Sequence, residues 1–146
     1  MITPSPTNKI DPAQARGTLL QAVPATPTKP AYIKFAVPNT SYELHLVPQG
    51  EIGVATGHRL IGTIRVSARR LDLVGSGGRY LEPVMGRPRR IQGTVVRVES
   101  GAVVIDAGVP VHCLLTDARQ KPEDFQPGQF VTCGVLDSAT FTPAPH

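Results

Sequence analysis

Leu60-Ile61-Gly62-Thr63-Ile64-Arg65-Val66-Ser67-Ala68-Arg69 is the stretch whose reading decides the fold. Leu60, Gly62, Ile64, Val66 and Ala68 fall on one side, and Ile61, Thr63, Arg65, Ser67 and Arg69 on the other. Alternation sustained over ten residues has the period of a half-buried β-strand, not of a helix. A glycine inside the run predicts a strand that coils strongly. The phase slips after Arg69, so that Leu71 and Leu73 become the inward residues with Arg70 and Asp72 outside. Paired arginines at a phase change predict a bulge or a strand bending into another sheet region.

The same period continues on both sides. Upstream, Ile33, Phe35 and Val37 share a face, and Tyr42, Leu44 and Leu46 share another, with Pro38-Asn39 as the turn between two strands. Downstream, Gly75-Ser76-Gly77-Gly78 is a flexible turn into a return strand over Arg79–Val84, which Pro83 and Gly86 end. Residues 89–115 read as a three-strand meander: Arg89–Val98, Ala102–Ala107 and Val109–Leu115. Pro122 limits any helix over Ala118–Phe125 to a turn or two, and Gln129–Leu136 is the last expected strand. Ile61-Gly62-Thr63-Ile64-Arg65-Val66 and Gln92-Gly93-Thr94-Val95-Val96-Arg97 echo one another. The echo is read as two strands meeting the same need for a glycine rather than as a duplication.

The ends differ from this core. Residues 1–30 hold Pro4, Pro6, Pro12, Pro24, Pro27 and Pro30, and predict an extended, solvated arm. Within it, 13–23 is compatible with one or two helical turns capped by Asp11, with Pro12 as the first helical residue. An alternative is an arm that docks Leu19, Leu20 and Val23 onto a partner. The expected organisation is a proline-rich arm over 1–30, a barrel domain over 31–138 and a flexible tail over 139–146. The fold class is all-β: a small barrel, with a larger barrel or sandwich of seven or eight strands as the alternative.

Residues 89–138 resemble the core of an OB-fold (oligonucleotide/oligosaccharide-binding) module. Gln92–Val98, Gly101–Asp106 and Val111–Leu115 carry the likeness, followed by an irregular connection and Pro127-Gly128-Gln129-Phe130-Val131-Thr132-Cys133. The resemblance implies a five-stranded barrel that often binds oligonucleotides or oligosaccharides. Four strands lie in this stretch, so the fifth is expected from upstream.

Charge supplies the functional expectation. The chain carries a net +4. Positions 59–97 concentrate nine arginines, no lysine and two acids, whereas 98–146 hold two bases and six acids. Arginine presents a planar fork that binds phosphate or carboxylate bidentately. The candidate nucleic-acid-binding residues are Arg65, Arg69, Arg70, Arg79, Tyr80, Arg87, Arg89, Arg90 and Arg97. Pairing of Arg59–Val74 with Arg79–Val98 would merge their charges into one surface. Two partner classes fit such a surface: DNA or RNA held mainly through the phosphate backbone, and a protein partner or second copy in an assembly. Carboxylates of the same chain compete for the same arginines. With no tryptophan and one aromatic, Tyr80, inside the arginine-rich stretch, base stacking is expected to be minor.

Other chemistries find little. Cys113 lies in phase with Val111 and Leu115, and Cys133 with Val131 and Val135, so both read as small core residues rather than metal ligands. His45, His58, His112 and His146 are scattered, and no serine sits in a nucleophile elbow. The glycine-rich turn lacks the following lysine and helix of a nucleotide site. A non-enzymatic protein without a cofactor is expected. No run of apolar residues suits a membrane span, and the first residues lack the pattern of a signal peptide. A cytoplasmic location follows as an expectation.

Overall fold

The computed structural model describes residues 11–99 and 101–144. Its strands are β1 (Ala15–Val23), β2 (Tyr32–Ala36), β3 (Glu43–Pro48), β4 (Arg59–Ala68), β5 (Asp72–Leu73), β6 (Tyr80–Glu82), β7 (Met85–Gly86), β8 (Arg90–Glu99), β9 (Ala102–Asp106), β10 (Pro110–Leu115) and β11 (Phe130–Pro143). One 3₁₀ turn, Pro122–Asp124, stands where a short helix was expected. β4 alternates as read: Leu60, Gly62, Ile64, Val66 and Ala68 are buried and the residues between them are not.

At roughly 3.3 Å per residue, a ten-residue strand is about 33 Å long, more than one small barrel needs. Each half of β4 therefore serves a different ring, and so does each half of the still longer β11. The first ring runs β1–β2–β3–β11–β4 and returns to β1. The second runs β8–β9–β10–β4–β11 and returns to β8. In each, three strands form an antiparallel meander and the third pairs in parallel with the shared strand that closes the ring. The second ring takes its fifth strand, β4, from upstream of residue 89.

The rings are structural repeats. β1 shifts register between Leu19 and Gln21 against β2, and β8 shifts between Val95 and Arg97 against β9. Gly17 and Gly93 occupy matching places, where a Cβ would run into the carbonyl oxygen of the next strand, Ala36 or Asp106. His45 and His112 stand at corresponding positions of β3 and β10, opposite Lys34 and Val104. The echo between the Gly62 and Gly93 segments thus joins strands of different rank; the true counterpart of Gly93 is Gly17. Gly62 has its own close neighbour, the carbonyl of Thr142.

One apolar core fills both rings. Phe35 and Phe141 meet within its first-ring part, with ring centroids 5.2 Å apart and a 40° tilt. Cys113 and Cys133 are buried as free thiols, in keeping with their phase. Hydrogen bonding to Cys133 and burial hold the Cys113 thiol well above the ordinary range, which suits packing rather than reactivity. Tyr42 ties the parts together: its hydroxyl donates to the Ala107 carbonyl (3.1 Å) and accepts from the Leu81 N–H (2.9 Å).

Several expectations are corrected. Residues 15–23 are strand β1, paired on both edges, rather than helical turns in an arm. Closing the first ring supplies their backbone groups with partners, which outweighs local helix propensity. Residues 1–10 of the expected arm lie outside the described residues. β11 continues to Pro143, so 140–143 are ladder rather than tail; 145 and 146 lie outside the description. Leu73 is 64% exposed instead of inward, because β5 is a two-residue edge on β11.

Candidate nucleic-acid interface

Strand alternation sends Tyr32 and Lys34 of β2, and His45 and Val47 of β3, to the outer side of the first ring. Lys29 and Pro30 come from the link between β1 and β2. Arg87 and Arg89 come from the segment leading into β8. Its main chain is pinned: the Arg89 N–H donates to the Glu82 carbonyl (2.7 Å), the Arg89 carbonyl accepts from the Val135 N–H (2.8 Å), and Pro88 is buried. The two arginine side chains are left exposed. Together with Ser138 these residues, Lys34 apart, line an open groove of about 450 Å³, and no carboxylate is among its lining residues.

Tyr32 and His45 stack in the groove, with centroids 4.8 Å apart and planes 26° from parallel. The His45 pKa is lowered from 6.5, first by burial and then by the charge of Lys34; Lys29 adds to this and Glu43 opposes it. The groove thus offers three permanent cations, an aromatic pair, and an imidazole that gains a proton most easily when an anion arrives. Phosphate groups are natural occupants of such a surface.

The other sequence candidates divide. Arg70 pairs with Asp72 (3.0 Å) and Arg79 with Asp106 (2.9 Å). Arg97 Nη2 donates to Asp11 Oδ1 (3.0 Å) and Glu99 Oε1 (3.2 Å), and its Nε lies 3.0 Å from Glu99 Oε2 without the alignment of a hydrogen bond. Arg65 donates to Thr142 Oγ1 (3.0 Å). Arg90 donates to the Tyr80 hydroxyl (3.3 Å). Arg69 is exposed, its aliphatic stem lying over Gly134. The single merged surface does not form, because β11 inserts between β4 and β8 and pairs with both. Arg87 and Arg89 gather with Lys29 and His45 on the first ring, while Arg65 and Arg97 face a smaller cavity, about 260 Å³, on the second.

That smaller cavity is the counterpart of the groove and shows why one face is cationic and the other is not. The residue six places before each matching glycine opens a lead-in segment: Asp11-Pro12-Ala13 before β1, and Arg87-Pro88-Arg89 before β8. Asp11 neutralises Arg97, and the Ala13 carbonyl accepts from His112 Nε2 (2.8 Å), leaving that histidine 6% exposed. On the first ring the lead-in brings two arginines in place of the carboxylate.

Sequence reading missed Lys29, Tyr32 and His45. A signal existed for two of them, since period two puts Tyr32 and His45 outward; Lys29 was hidden by assignment to the arm. Among the described residues no group of His, Cys, Asp or Glu has a metal-ligand arrangement, and no helix is long and apolar enough to cross a membrane. Comparison with known proteins finds no matching family model, curated protein or solved structure.

Proposed function

We propose that the protein binds nucleic acid without catalysis, holding a phosphate backbone in the groove of Lys29, Tyr32, His45, Arg87 and Arg89. The observation that carries this reading is a cationic groove whose lining lacks a carboxylate, in a molecule that pairs many of its other arginines internally. An OB-like reading of each ring supports it: ligands of that fold lie on the second and third strands and the loop before them, which here carry Tyr32, His45 and Lys29. The Tyr32–His45 pair supplies a stacking surface suited to single strands.

A gel shift against generic single-stranded DNA and RNA across a salt series tests the proposal. Binding is expected to weaken linearly in log–log form as salt rises. Arg87→Ala with Arg89→Ala is expected to flatten that slope by about two, one for each guanidinium that no longer neutralises a phosphate. No shift at low salt overturns the reading.

A second reading, an assembly subunit that meets protein through the same side, is favoured by Val84 and Met85. Both are exposed beside Arg87, where a nucleic acid has no use for them. Sedimentation showing self-association that Met85→Lys abolishes, with no gel shift, would favour it.

A further inference from the structure

Arg16, Gly17, Thr18, Pro38 and Arg59 line a second open pocket of about 310 Å³ on the first ring. Arg16 and Thr18 project from the same side of β1, and Thr18 pairs across to Arg59 on β4. Tyr32 opens β2 and Pro38 lies just past its other end, so this pocket and the groove sit at different ends of that strand and share no lining residue.

Three observations point to an anion. Neither arginine has an ion-pair partner among the described residues, and no carboxylate lines the pocket. The Nε of Arg16 is buried without a hydrogen-bond partner, a donor whose desolvation nothing among the described residues offsets. The second ring completes the matching place without arginines: Gln92 stands beside Gly93 where Arg16 stands beside Gly17, and Phe130 pairs with Thr94 where Arg59 pairs with Thr18. Gln92 spends its side-chain amide on the Gly78 carbonyl (2.8 Å). The fold therefore does not require the guanidinium groups.

We infer that Arg16, Thr18 and Arg59 form an anion site for a single phosphate group, separate from the groove. Two guanidinium forks from different strands bring four N–H donors, which a carboxylate must accept on two oxygens in one plane; a tetrahedral phosphate spreads them over more oxygens in different directions. The close approach of Gly17 to Ala36 and Phe35 fixes the backbone that carries Arg16 and Thr18.

The test follows the backbone amide signals of Gly17 and Thr18 by NMR while inorganic phosphate replaces chloride at constant ionic strength. A saturable shift is expected in the native chain and also in the Arg87→Ala, Arg89→Ala double variant, which separates this site from the groove. Arg59→Ala is expected to weaken binding by about tenfold or more, the loss of a hydrogen bond to a charged group. Arg16→Gln copies the residue of the other ring, so it is expected to fold and to lose binding similarly. A parallel titration with adenosine and its monophosphate identifies the source: tighter binding of the ester than of the free ion names a nucleotide phosphate, and the reverse names the free ion, and either supports the pocket. A shift that does not saturate, or that persists unchanged in Arg59→Ala and Arg16→Gln, overturns it.

Discussion

His45 is the groove residue whose charge changes near neutral pH, and its environment makes two predictions of opposite sign. An anion in the groove stabilises the imidazolium, so affinity for nucleic acid is expected to rise as pH falls from the neutral range toward the lowered pKa of the free protein. In the free protein the folded-state pKa is lowered, so the unfolded chain binds the proton more readily. Stability is then expected to fall as pH drops from 6.5 through the folded pKa and to level off below it. His45→Gln should remove both trends, as followed by binding isotherms and urea melts across the range. Gly93 makes a different prediction. A methyl group there would meet the Asp106 carbonyl and the Ile105 side chain. Gly93→Ala is expected to cost about 1–3 kcal/mol as overpacking, read from the urea midpoint. Both residues were visible in the sequence, Gly93 as a glycine within a strand and His45 by its phase. The carbonyl that excludes a side chain and the cations that surround the imidazole were not, because strands from elsewhere in the chain bring them.

β11 is the element on which closure depends, because its first half pairs with β8 and its second with β3 and β4. Alternation in the sequence runs only to Leu136, where the strand breaks phase at a bulge with Asp137 in a left-handed conformation (φ 55°). Past the bulge, Ala139 and Phe141 return inward. Phe141→Ala is expected to destabilise by about 3–5 kcal/mol, measured by chemical denaturation. A chain ending at Ser138 should lose the protection of the Gln49 amide in hydrogen exchange, since its acceptor, the Phe141 carbonyl, is gone. β1 is the parallel case at the other end. Gly17 and the surrounding prolines disguised a strand as an arm, and its two neighbours supply the order that its local sequence lacks.

For the whole molecule, sharing β4 and β11 makes two rings one folding unit. Phe35→Ala in the first ring and Ile105→Ala in the second are expected to lower the midpoint of a single transition, by circular dichroism and tyrosine fluorescence alike. Two separable transitions would show the rings to be independent. Charge follows the same architecture: the lead-in segment that carries a carboxylate neutralises one outer face, and the one that carries two arginines leaves the other cationic. Periodicity and turn residues told, from the chain alone, that this is an all-β protein, which side of most strands faces inward and where arginine is concentrated. Those are properties of neighbours in sequence. Tertiary structure settled which strands pair, that the rings repeat, and which arginines stand free of carboxylates among the described residues. Pairing and charge neutralisation depend on groups as far apart as Asp11 and Arg97, and nothing local to either residue encodes their meeting.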